Sequence, residues 1–136
     1  MLSLTNLEVS IGAVQVLRSV TLEVPKGAMV GLVGRNGAGK TTLMRSAMGL
    51  AQVASGELRF GDIDLRALPA HERARRGIGY MPEDRRLIPE LSVEENVLLP
   101  AWASRLDGID ARLRRIRELI PEIGRHGGRK AMQLSG

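Results

Sequence analysis

The stretch Gly34-Arg35-Asn36-Gly37-Ala38-Gly39-Lys40-Thr41 constrains this chain more than any other. It fits the Walker A pattern, G-x-x-x-x-G-K-S/T, and a chance match somewhere in a chain of this composition has odds of only ~0.4%. Each residue type has a physical reason. Glycines let successive backbone N–H groups turn inward and approach an anion with no Cβ in the way. The start of a following helix adds partial positive charge, a lysine ammonium reaches the outer phosphates, and a threonine hydroxyl can ligate Mg²⁺. The flanks suit the motif. Ala28-Met29-Val30-Gly31-Leu32-Val33 is a short apolar run that predicts a strand buried on both faces of a parallel sheet. Beyond the loop, Leu43, Met44, Ala47 and Met48 form a helical stripe that stops near Gly49. Strand, glycine loop and helix in that order set the fold class as α/β.

Composition removes most competing chemistries. The 136 residues have the size of one ordinary domain, with 43% apolar and 26% charged residues, so the chain is of a folding type. With no cysteine, disulfides, thiolate zinc sites, iron–sulfur clusters and thiol nucleophiles are all excluded. His71 and His126 are the two imidazoles, and they stand too far apart in sequence to suggest a metal pair. The net charge is +5, with 17 of the 20 basic residues arginine. That excess invites a nucleic-acid reading, but Phe60, Tyr80 and Trp102 are the whole aromatic set, too few for stacking on single strands. An arginine-rich solvated surface is the plainer reading. The longest uncharged run, Ser46 to Gly56, has eleven residues against the roughly 18 of a membrane span. The opening MLSLTNLEVS lacks the basic region and cleavage site of a secretory signal, so a cytosolic chain is expected.

The remaining elements follow from periodicity and breakers. Residues 2–9 and 20–24 read as strands, with Pro25-Lys26-Gly27 as a turn. Gly56 to Asp62 reads as a strand entering a turn, with a brief return strand at Ile63 and Leu65. Pro69 opens a short charged helix through Arg76, which places His71 on a solvated face. Gly77-Ile78-Gly79-Tyr80-Met81-Pro82 resembles a second buried strand that its proline terminates. After a charged loop at Glu83 to Arg86, Ser92-Val93-Glu94-Glu95 is a capping box that starts a helix, which Pro100 ends or bends near Leu99. Trp102 offers a large apolar face beyond it. Ile109, Leu113, Ile116, Leu119 and Ile120 predict a final helix that Pro121 stops, and the glycine-rich remainder, His126 included, reads as loop.

A phosphate-binding loop alone does not choose among kinases, GTPases, motor ATPases and transporters. The matches LVGRNGAGKTTLMR, SGELRFGDIDL, GIGYMPEDRRL and LSVEENVLLPA do: the chain resembles the nucleotide-binding subunit of ATP-binding-cassette (ABC) transporters from residue 2 to its end. GRNGAGKTT, Pro-Glu after the second apolar run and SVEEN together look most like the branched-chain amino acid importer type, with urea importers as close relatives. The resemblance implies a P-loop NTPase fold with N-terminal antiparallel strands, a P-loop strand and helix, and the start of a helical subdomain. The division is an ATP-binding core at about residues 1–90 and the subdomain at about 91–136. It further implies that Gly34, Arg35, Asn36, Gly37, Ala38, Gly39, Lys40, Thr41 and Thr42 bind ATP, that Lys40 stabilises phosphate charge, and that Thr41 ligates Mg²⁺.

Three departures from the family pattern stand out. Glu83 occupies the position of the Q-loop glutamine, where a carboxylate would be a hard oxygen ligand near the metal; the plainer alternative is a solvated acid pairing with Arg85 or Arg86. Ile11-Gly12 stands where an aromatic usually stacks on adenine, which leaves apolar contact alone. Leu134-Ser135-Gly136 opens the LSGGQ signature, of which Ser135 and Gly136 are the site residues, and the sequence ends inside it. No Walker B strand, general base or switch histidine can be assigned, so the expectation is nucleotide binding without turnover by these residues alone. The implied partners are a second ATP-binding subunit, transmembrane permease subunits and, indirectly, a solute-binding protein, at the inner face of the cell membrane. The segment from Arg85 to Trp102 is the expected docking surface. Nucleic acid is not expected as a partner, although a non-transport ABC ATPase acting on nucleic acid or ribosomes is the alternative that the arginine excess motivates.

Overall fold

Leu2, Leu4, Leu7 and Val9 are spaced 2, 3 and 2 apart, which is a strand's alternation with one residue inserted. The computed structural model, which describes residues 1–84 and 86–134, shows that insertion as a bulge in β1, Leu2–Ile11. Asn6 takes φ 49°, a left-handed conformation that asparagine tolerates better than most residues, and its N–H donates to the Thr21 hydroxyl at 3.0 Å. Leu7 and Val9 therefore return to the face of Leu4, and all three are almost fully buried.

β1 is central in a four-stranded antiparallel sheet of order β2-β1-β3-β4, with β2 at Val14–Val24, β3 at Val53–Phe60 and β4 at Ile63–Asp64. Leu2 faces Val24 on one side and Phe60 on the other. Helix α1, Lys40–Ala47, adds Leu43 to a core made of Leu4, Leu7, Val9, Leu17, Leu58 and Leu65. Leu65 begins a one-turn 3₁₀ segment to Ala67, capped by the Asp64 carboxylate, and α2 spans Ala70–Arg75. Leu58 and Leu65 have no exposed surface, and burying each such side chain contributes roughly 1.5–3 kcal/mol. These elements belong to the first of two compact units, Met1–Gly79; the second is Tyr80–Gly136.

The second unit is built by its main chain. Helix α3, Val93–Ala103, starts at the expected capping box, and α4 spans Ile109–Leu119. The stretch before α3 pairs with the stretch beyond residue 126: Val93 N–H donates to Arg129 O at 2.9 Å, and Ala131 N–H to Leu91 O at 2.9 Å. Asn96 closes the loop ahead of α3, accepting from Ile88 N–H at 2.8 Å while its amide donates to the Ile88 and Ser92 carbonyls. Arg117 of α4 forms an ion pair with Glu94 of α3.

Several expectations are corrected. Ala28–Val33 is not a strand: no described segment hydrogen-bonds to it as a ladder, and Met29 and Val33 are 100% and 95% exposed. The same holds for Gly77–Pro82, although Ile78 packs against the core of the first unit. An apolar run supplies the side chains for a buried strand, but the strand itself exists only through a paired neighbour. β2 begins six residues earlier than predicted, because the turn at Gly12, φ 60°, folds it directly back onto β1. α3 continues through Pro100 to Ala103, since the Pro100 carbonyl still accepts from Ser104 N–H at 3.0 Å and only the proline's own donor is missing. Pro121 does close α4, but it also opens a further helix, α5, Pro121–His126, because its fixed φ suits the first helical position. His126 is thus the last residue of a helix and not part of a loop.

Candidate functional site

The glycine loop runs from β2 into α1 and turns tightly, with Ala38 N–H donating to Arg35 O at 3.1 Å. Gly37 and Gly39 have φ 82° and 90°, the left-handed region. At Gly39 glycine is demanded twice over: a Cβ there would also stand 2.7 Å from Cδ2 of buried Leu17 on β2. The loop is thereby pressed onto the sheet. Thr42 and Leu43 point into the core, and that fixes the rotation of α1 so that Thr41 is exposed and Lys40 half-buried.

The start of α1 is electropositive and open. Its N-cap, Gly39, offers no side chain, and no acidic residue lies in the first turn. The first N–H groups of the helix have no intrahelical acceptor, so they remain available to an anion. The Lys40 ammonium arches back over the loop and donates to Gly34 O at 2.7 Å and Arg35 O at 2.9 Å. An ammonium has three donors, and this posture holds the charge over the loop. Backbone donors, a helix N-terminus and one cation on a glycine turn are the donor set of a polyphosphate, so the residues present fit the nucleotide that the motif implies. Thr41 is exposed on the first turn of α1, and its hydroxyl is of the kind that would serve as one of the few protein ligands of Mg²⁺.

Ile11 reaches the same neighbourhood. With Ser10, Thr41, Thr42 and Arg45 it lines a hollow of about 300 Å³, and it is 57% exposed at the end of β1. A second hollow of about 630 Å³, lined by Asp64, Arg66 and Arg73, adjoins it, and the two share Leu50, Ala51 and Gln52.

The remaining predicted residues are dispersed. Glu83 is exposed in the second unit, and Arg86 pairs with the neighbouring Asp84 at 2.6 Å rather than with Glu83. Ser135 and Gly136, like Arg85, lie outside the described residues. Among the described residues no cluster of three or more His, Asp or Glu could hold a metal, and no helix is long and apolar enough to cross a membrane. His71 sits on the solvated face of α2 as expected, and Trp102 is 44% exposed. Sequence reasoning missed Arg73, which is 5% exposed; nothing in the run HERARR distinguishes it from the exposed Arg75 and Arg76.

Known proteins match this chain along its length. The family described as ABC transporter matches residues 17–136. The high-affinity branched-chain amino acid transport ATP-binding protein BraG of Pseudomonas aeruginosa is 35% identical over all of this chain and 58% of its own length. The lipopolysaccharide export system ATP-binding protein LptB of Acidithiobacillus ferridurans is 38% identical over 89% of the chain and 51% of its own length. Among solved structures, a dimeric ATP-binding cassette bound to ADP and Pi aligns with TM-score 0.80 and 27% identity, over 99% of this chain and 63% of the other. The chain spans a little over half the length of these curated relatives. Carrying a phosphate loop on the start of α1 beside an antiparallel sheet, and matched by these proteins along its length, the chain belongs to the ABC transporter family.

Proposed function

We propose that these residues form the ATP-binding part of an importer ATPase for branched-chain or other small amino acids. The supporting observation is the ammonium of Lys40 held over the Gly34 and Arg35 carbonyls at the uncapped start of α1. Gly34 to Thr42 wrap the triphosphate, the loop N–H groups and Lys40 supplying fixed positive charge against the negative charge that develops on the transferred phosphoryl group. Thr41 would hold Mg²⁺, which would supply positive charge against the phosphate oxygens. Glu83 serves near that cation as a hard oxygen, and Ile11 gives the adenine apolar contact. Residues 1–90 act as the nucleotide core and 91–136 as the start of the helical subdomain, with Ser135 and Gly136 opening the signature. The 136 residues bind nucleotide, and hydrolysis belongs to the whole protein working as a pair of ATP-binding subunits. Permease subunits seat this pair at the inner membrane face, docked at residues 85–102, and a solute-binding protein delivers the cargo. The importer reading rests on the whole-chain similarity to BraG; the LptB similarity over 89% of the chain supports lipopolysaccharide export as the second reading.

Thermal unfolding with ATP and Mg²⁺ tests the binding step. Saturating wild-type protein at a hundredfold excess over Kd stabilises it by about 2.7 kcal/mol. Lys40→Ala removes most of that gain, and equal gains in both proteins would refute the role of the loop. Transport by the full-length subunit with its permease, assayed with labelled leucine against lipopolysaccharide, separates the two cargo readings.

A further inference from the structure

The carboxy end of α1 is closed twice, once by its own main chain and once by a side chain from α2. Gly49 N–H donates to Ser46 O at 3.0 Å and Leu50 N–H to Arg45 O at 2.8 Å, the pattern of a complete Schellman motif with Gly49 at φ 73°. Those two bonds satisfy the Ser46 and Arg45 carbonyls and do not reach Ala47 O. Arg73 of α2 drives its guanidinium into the same place, donating from Nη1 to Ser46 O at 2.7 Å and Ala47 O at 3.0 Å and from Nε to Leu68 O at 3.0 Å. It lies flat against the bare Cα of Gly49, where a Cβ would come within 3.0 Å of Cζ. Burying a guanidinium is costly unless its hydrogen bonds and local charge offset the lost hydration. The offset here comes from the negative pole of α1 and, more distantly, from the Asp64 carboxylate.

What this contact does that a glycine cap cannot is join two elements. The Arg73 main chain receives the next segment: its carbonyl accepts from Arg76 N–H at 3.1 Å and from Ile78 N–H at 3.3 Å. One residue thus grips the helix that carries Lys40 and Thr41 by its side chain, and the chain leading toward Glu83 by its backbone.

We propose that Arg73 is a positioning residue that ties the phosphate-binding helix α1 to residues 76–78, so that nucleotide held at the start of α1 steadies the segment running on to Glu83. The proposal rests on the ATP-binding reading above. The link is stiff, because α1 is a short rod of two turns fixed to the sheet by Leu43, and a shift at one end is delivered to the other. Coupling is reciprocal, so loosening the tie also weakens nucleotide binding.

Amide hydrogen exchange on the 136-residue chain, with and without ATP and Mg²⁺, tests this. In the wild type, ATP is expected to slow exchange in the first turn of α1 and, by at least about fivefold, at the amides of Arg76 to Ile78. Arg73→Lys keeps the charge but cannot reproduce the fork of three bonds. In that variant the first turn of α1 stays protected by ATP, while the effect at residues 76–78 falls below about twofold. Protection confined to α1 in the wild type overturns the tie, and does so even if the variant fails to fold. Equal protection of residues 76–78 in both proteins also overturns it. Absence of protection in α1 itself would sink the ATP-binding reading and the tie together.

Discussion

Glu95 does two jobs at the start of α3. Its carboxylate accepts the Ser92 N–H at 2.7 Å, while its own N–H donates to the Ser92 hydroxyl at 3.2 Å. The Ser92 N–H, and after it the Ser92 hydroxyl, favour the ionised carboxylate and hold its pKa below the usual range. A depressed carboxyl stabilises the fold at pH above the ordinary carboxylate range, and that contribution is lost as pH falls through that range toward the folded value. Exchange protection of the first turn of α3 should therefore decline on acidification through about pH 4.5 and below, and Glu95→Gln should flatten that dependence. The capping pair was legible because S-x-x-E is a local pattern with one physical solution. Arg73 was not, since three arginines within four positions look alike until tertiary packing selects one for burial. Lys40 stands between these cases: the motif announces its chemistry, but its present bonds to Gly34 and Arg35 follow only from the folded loop.

Among the elements, the antiparallel sheet was readable and the parallel one was not formed from these residues. β1 and β3 announced themselves because adjoining segments provide their partners, whereas Ala28–Val33 and Gly77–Pro82 carry strand composition with no paired neighbour among the described residues. α5 escaped notice because Pro121 reads equally well as a stop for α4, and Gly124 lowers helical expectation. α3 is the element whose start depends most on a single side chain. It has no fully buried residue, so its beginning relies on the box and on Asn96. Ser92→Ala should cost about 1 kcal/mol, read from the denaturant midpoint of α3 circular dichroism or amide exchange. A change under a few tenths would mean that the pairing with residues 129–131 carries the start alone.

Across the whole molecule, the buried apolar side chains belong almost entirely to the first unit; Ala131 alone represents the second among the described residues. Leu58→Ala should accordingly cost about 2–5 kcal/mol and melt the first unit, with calorimetry as the check. Met29, Val33 and Met81 present apolar surface at 89% exposure or more. Exposed runs of strand-forming residues seek other chains. The chain made alone should associate at tens of micromolar, and Met29→Lys with Val33→Lys should shift it toward monomer in size-exclusion chromatography. A sharp monomeric peak for the wild type would contradict this.

The bulge at Asn6 carries a last consequence. The extra β1 residue lies between Leu4 and Leu7 against β2 and between Thr5 and Glu8 against β3; further along β3 regains one residue, between Val53 and Ser55, and β2 gains two, one between Leu17 and Val20 and one between Gln15 and Leu17. The three lengths are therefore interlocked. Deleting Asn6 alone would leave three surplus residues, two on β2 and one on β3, facing a straight partner, so length changes in this sheet should be tolerated only as concerted indels, and an engineer wishing to shorten β1 must trim its neighbours as well.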